Sequence, residues 1–218
     1  MKQNFSARTA ALDDALGVGR CFDMTARDLT IGGRRARLWV VNGYAQEGVL
    51  ERIIAQWLAA PDLTDMKTPD AFLRRFVTAC DAAVCLKKEE AVLGVFSGKT
   101  LLVVDGWDGG ILMDVKQFPT RSIEEPDTSR VLRGSHDGFV ENLMQNAALL
   151  RRRIRDSRLT LERVQLDNRS HTDVVLCYMD GEADPELLAE IREKLENMQV
   201  GSIAMSQESV AEALSPRQ

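Results

Sequence analysis

Apolar and polar positions alternate, recur or break along the chain in a way that outlines its elements. Residues 7–17 carry the spacing of a short helix that ends near the glycines of GVGR. CFDMTARDLTI, 21–31, alternates toward Gly32-Gly33, and RRARLWVVNGY, 34–44, follows with Leu38, Val40 and Val41 apolar. Two such runs joined by a Gly-Gly pair predict a hairpin. In VLERIIAQWLAA, 49–60, the side chains of Val49, Ile53, Ile54, Trp57 and Leu58 recur at helical spacing, and Pro61 follows as a stop. TPDAFLRRFV predicts a second helix, with Thr68 as N-cap and Pro69 as its first residue. TLLVVDG and GILMDV flank WDGG, a second hairpin signal.

The segment QFPTRSIEEPDTSR, 117–130, breaks the pattern: it is polar, holds two prolines and lacks periodicity. It predicts a linker over 119–130 between an N-terminal region, 1–118, and a second region, 131–218. In that second region a long helix is predicted over about 137–155, with Ser135 or Asp137 as its cap. LTLERVQL and DVVLCYM read as strands around the turn DNRSHT, and Asp184-Pro185 opens the helix PELLAEIREKLENM. A short strand near GSIAM and a helix at SVAEAL complete the pattern. The fold class this predicts is α/β, in two small subdomains joined by a hinge, each a small mixed sheet flanked by helices.

Composition narrows the function. The apolar share of 44% and charged share of 28% are those of a folded globular chain. A net charge of −5 argues against general nucleic-acid binding, which needs positive potential along a face. No run approaches the roughly 18–20 apolar residues of a membrane span, and MKQNFSARTA has no apolar core for a secretory signal. Cys21, Cys80, Cys85 and Cys177 show no C-x-x-C spacing, and His136 and His171 are the only histidines, so neither a metal nor another cofactor is expected. Cys177, within VVLCYM, reads as a small core residue.

Two motifs imitate catalysis and fail. GVFSGKT has three residues between its first glycine and GKT where a phosphate loop needs four, and it precedes a strand rather than a helix. Ser135-His136-Asp137 are consecutive, so their side chains point apart, whereas a working triad is assembled from spatial neighbours. No enzyme is expected.

The most unusual local feature is the arginine run of the 137–155 helix. Stepped at 100° per residue, Phe139, Val140, Leu143, Met144, Ala147, Leu150 and Ile154 share an arc of about 140° that predicts the buried face. Arg151 falls at the edge of that arc, Arg152 nearly opposite, Arg153 beyond the other edge and Arg155 beside Arg151. Two readings stay open. The cluster is a charged last turn that complements the helix dipole and pairs with acids of the 180–196 helix, or it contacts a partner chain or anionic headgroups. At the other end Arg133, Gly134 and Ser135 offer backbone N–H groups and a cation to a small anion.

RVLRGSHDGFVENLMQNAALLRRRIRDSRLTLE, 130–162, followed by RSHTDVVLCYMDGEADPELLAEIREKLENM, 169–198, resembles the A-subunit family of bacterial spore germinant receptors. The carrying residues are Arg133, Gly134, Gly138, Phe139, Glu141, Asn146, Leu149, Arg151, Arg152, Arg153 and Ile154, then Arg169, Ser170, Thr172, Tyr178, Ala183 and Pro185. LGVGRCFDMTARDLTIGGRRARLWVVNGYAQEGVLERII, 16–54, is similar to the family's stage V sporulation AF branch, with Cys21 in place of its usual serine and, further along, His171 in place of its usual lysine. The resemblance implies the soluble N-terminal region of a spore-germination membrane protein, with a membrane domain beyond 218. It implies a place at the inner spore membrane on the cytoplasmic, core side. It also implies germinant receptor B and C subunits or homologous A subunits as partners, a homo-oligomer at full length, and a non-catalytic part in germinant signalling, assembly and ion release. The alternative is a module that binds a small-molecule germinant between its two subdomains.

Overall fold

Gly32 and Gly33 both take positive φ, 50° and 77°, as a tight two-residue hairpin turn requires. They join β1 (Met24–Ile31) to β2 (Arg34–Val41) in antiparallel register. This is a computed structural model, and it describes residues 4–45, 47–60, 62–116, 138–166 and 172–197. Those residues form two units. The first holds the chain up to Gly19 and Asp23–Ser157; the second holds Arg20–Phe22 and the chain from Arg158 onward.

In the first unit β2 pairs with β4 (Thr100–Val104), β4 with β5 (Gly110–Asp114), and β5 with β3 (Asp81–Cys85). The sheet order is β1-β2-β4-β5-β3 and every pairing is antiparallel. All five residues of β4 are buried, so the central strand is covered on both faces. Leu102 and Val104 face α2 (Glu47–Leu58) and α3 (Pro69–Phe76), in a core that holds Ile53, Trp57, Phe72 and Trp107. Phe72 sits 5.7 Å from Trp57 and 5.1 Å from Trp107, ring to ring. Both indoles are satisfied: Trp57 Nε1–H donates to Phe76 O and Trp107 Nε1–H to Met66 O. Leu101 and Val103 line the other face with residues of α1 (Phe5–Leu16) and α4 (Lys88–Phe96).

The expected hairpins are present, and so are the helices expected at 7–17, 49–60 and from 69, the second of them running Glu47–Leu58. The Thr68 side chain caps α3 by accepting from Ala71 N–H. GVFSGKT ends α4 and turns at Gly98, φ 92°, into β4, the reverse of a phosphate-loop order. Strand β3 and helix α4 themselves were not legible, because DAAVC and KEEAVLGVF are short and weakly periodic.

The second unit pairs β6 (Leu159–Gln165) with β7 (Asp173–Met179) and packs α6 (Pro185–Glu196) on them. Its core is Val164, Leu166 and Leu195, with Val174, Leu176 and Ile191 against them. Phe22 N–H donates to Leu161 O, so the 20–22 segment hydrogen-bonds β6. Asp184 caps α6 by accepting from Glu186 N–H. Cys177 is exposed rather than in the core. The strand near GSIAM and the helix at SVAEAL lie outside the described residues.

The division between units differs from the expected one. The 119–130 segment lies outside the described residues, and the helix after it falls in the first unit, while the second takes Arg20–Phe22 and the chain from Arg158. That helix, α5, runs Leu143–Arg153 and not 137–155. Its cap is Asn142, whose side chain accepts from Gln145 N–H. Just upstream, the Asn146 side chain accepts from Val140 N–H and donates to Val140 O, holding both backbone groups outside any helix. Phe139 is consequently 59% exposed, not buried.

Candidate functional site

The arginine cluster divides. Arg152, Arg153 and Arg155 are exposed at the C-terminal end of α5, where cations suit the helix dipole. Arg151 is fully buried. A guanidinium there is stable only with a countercharge, and Asp23, just before β1, supplies it. Arg151 Nε donates to Asp23 Oδ2 at 2.8 Å and Nη2 to Oδ1 at 3.2 Å, a two-pronged pair with side chains 0% and 1% exposed.

Three elements position that pair. The turn after β2 is tied to Asp23 by Asn42 N–H, which donates to Asp23 O at 2.7 Å. The same turn presents Tyr44, whose OH donates to Ala148 O on α5 at 2.8 Å. Gly43 has φ 82°, and a Cβ there would sit 3.1 Å from Met144 Cγ, so the turn and the helix approach closely. From α4, the Phe96 ring lies under the guanidinium, with its centroid 5.0 Å from Arg151 Cζ. Burial pushes the Tyr44 phenol well above its ordinary pKa; Asp23 adds to that and Arg151 opposes it.

Both carboxylate oxygens of Asp23 are engaged and neither side chain meets water, so the pair is not an accessible acid or base. What it does is fix α5 against β1, the 42–44 turn and the end of α4. Periodicity sets Arg151 at the edge of the apolar arc and leaves acids of the 180–196 helix, a partner chain or anionic headgroups as what the arginine cluster meets. The carboxylate Arg151 meets is 128 positions away. One signal pointed to it: Asp23 stands between Phe22 and Met24, an acid inside an apolar strand start. Arg133, Gly134 and Ser135 lie outside the described residues.

A second polar cluster belongs to the other unit. Arg192 of α6 donates to both oxygens of Glu162, at 2.8 and 2.7 Å, and Tyr178 OH donates to the same carboxylate at 3.0 Å. The Arg192 hydrogen bonds pull the Glu162 carboxyl below its ordinary pKa, while burial opposes them. Among the described residues no group of three or more His, Cys, Asp or Glu side chains could hold a metal ion, and no helix is long and apolar enough to cross a membrane.

Comparison with known proteins gives a consistent set. The family described as Bacillus/Clostridium GerA spore germination protein matches residues 11–218. Stage V sporulation protein AF of Bacillus subtilis (strain 168) is 33% identical over 201 residues, covering 90% of this chain and 40% of that protein. Spore germination protein B1 of the same organism is 27% identical over 191 residues, covering 87% of this chain and 40% of its own length. The chain thus spans about two fifths of these relatives. The fold is similar to the crystal structure of the N-terminal domain of the A subunit of the Bacillus megaterium spore germinant receptor GerK3. That match has a TM-score of 0.70 and 21% identity, over 91% of this chain and 73% of that one.

Proposed function

Because the chain belongs to the GerA spore germination protein family, we propose that it is the N-terminal, non-catalytic head of a spore-germination membrane protein, acting in assembly and in the ion release that follows germinant sensing. The observation that carries this reading is the family match over residues 11–218, which spans both units. The sealed Asp23–Arg151 pair supports a structural task for the most distinctive charges, since neither reaches a solute. Arg152, Arg153 and Arg155 are exposed at the end of α5, and we assign the partner contact to that surface. Receptor B and C subunits, homologous A subunits or further copies of this chain fill that role, at the inner spore membrane on the core side.

The test uses the whole gene, tagged, in sporulating cells. The protein is expected in the spore membrane fraction, co-purifying with family partners, and Arg152→Glu is expected to weaken that co-purification. Recovery only as a free protein of vegetative cytoplasm would end the reading. Intact complexes with Arg152→Glu would leave the arginines as a solvated helix end. Calorimetric titration with amino acids, sugars and nucleosides separates the alternative: heat at near-stoichiometric ratio would favour a germinant-binding module.

A further inference from the structure

On the face of the sheet opposite the aromatic core, α1 and α4 part over β4 and leave a groove of about 370 Å³. That is within the range of small-molecule pockets, about 300–1,000 Å³. Its floor is aliphatic, formed by Leu12, Leu101 and Val103. Its rim is cationic: Arg8 from α1, with Lys87 and Lys88 at the start of α4. In a chain of net charge −5 these three cations are notable for what they lack. Among the described residues, no carboxylate lies within ion-pair distance, 4.0 Å, of any of them.

Arg8 is the decisive residue. Its guanidinium is half-buried, and it donates from Nη1 to Trp107 O at 2.7 Å and from Nη2 to Gly109 O at 2.8 Å. Carbonyls orient a guanidinium but do not neutralise it. Burial pushes its pKa down, while the nearest acids, Asp108 and Asp105, act only at longer range. Three of its five N–H donors remain beyond those two bonds. An anion beside it would supply the missing countercharge. Leu86, 71% exposed, stands at the same mouth, so the edge offers an apolar contact beside the charges.

We propose that this groove binds a small aliphatic carboxylate, its carboxylate on Arg8, Lys87 and Lys88 and its hydrocarbon body on the β4 floor. The acids that oppose such a ligand are Asp108, Asp105 and Glu90, which act on Arg8 or on Cys85 at the groove wall. None is among the lining residues. The site is independent of the exposed arginines on α5, so it stands or fails apart from the assembly reading.

The test is amide NMR of the full chain titrated with hexanoate, and with hexanamide as the uncharged control. Hexanoate is expected to shift amides of 85–91 and 109–110 with a Kd near the millimolar range, about 1 mM. Hexanamide should bind at least about tenfold more weakly. Arg8→Gln should abolish the preference for the acid. Because Arg8 also holds the 107–109 turn, the exposed pair Lys87→Glu/Lys88→Glu provides a second variant that leaves the turn bonds intact; it too should lose at least about tenfold in affinity. Absence of saturable shifts with hexanoate, shifts confined to other surfaces, or equal binding of hexanamide would each overturn the assignment. So would unchanged binding in both variants.

Discussion

Cutting one side of the Asp23–Arg151 pair should unfold the first unit under conditions where the intact chain is stable. Asp23→Leu takes away the carboxylate that Arg151 meets with Nε and Nη2, in a site closed to solvent over the Phe96 ring. Arg151→Met takes the same two bonds from the buried Asp23 carboxylate. Removing one partner of a buried pair costs about 3–5 kcal/mol, because the survivor keeps its desolvation penalty without its countercharge. For a unit of this size that corresponds to a melting point lower by about 6–20 °C, or a urea midpoint lower by about 1.5–2.5 M at a slope near 2 kcal/mol/M. The assay is tryptophan fluorescence in urea. Trp39, Trp57 and Trp107 are the chain's three tryptophans, and all belong to the first unit. The double variant Asp23→Leu/Arg151→Met removes both charges and should recover most of the loss, since apolar replacement of a buried pair is often neutral or better. Single variants costing under about 1 kcal/mol would mean the pair is solvated as a surface pair is. A double variant as damaged as the sum of the singles would mean the two charges do not act on each other.

Other expectations follow from single contacts. Tyr44→Phe removes the hydroxyl that donates to Ala148 O and should cost about 1 kcal/mol in the same urea assay. Gly109 has φ 88°, and a Cβ there would collide with Cys85 O, so Gly109→Ala should destabilise the β3–β5 edge, read as faster hydrogen exchange at 81–85. The second unit should weaken in acid. Glu162 titrates below its ordinary value when folded, so its contribution is whole above the unfolded pKa, about 4.3, and disappears as pH falls through the folded one. Amide signals of β6 and β7 followed downward from about pH 6 should show that loss, and Glu162→Gln should flatten it.

How far the sequence could be read depended on whether the cause of each element was local. Gly32-Gly33, Thr68-Pro69 and Asp184-Pro185 dictate their own backbone, and each turn or cap formed where it was expected. The α/β class was legible for the same reason. Helix α5 starts later than periodicity suggests because Asn142 caps it by accepting from Gln145 N–H while Asn146 bonds back to Val140, and such side-chain bonds leave no periodic trace. Arg151 was misjudged because periodicity locates a face but not a countercharge; its partner arrives from another strand. The groove beside Arg8 was invisible for a related cause. α4, which with its cap residue supplies two of the three cations, has only two full turns and a pattern too weak to announce a helix.

The 128 positions between Asp23 and Arg151 set an order of events during synthesis. At ribosomal speeds of about 5–20 residues per second, Asp23 waits on the order of 10 s for its guanidinium to be made. The wait is a little longer for the 20–22 segment, whose Cys21 meets Leu159 at a separation of 138. Throughout that interval the Asp23 carboxylate must stay in water, because burying it without a countercharge is costly. The first unit cannot close before Arg151 has left the tunnel, nor the second before α6 has, so a ribosome stalled before codon 151 should display a sheet without its final clasp.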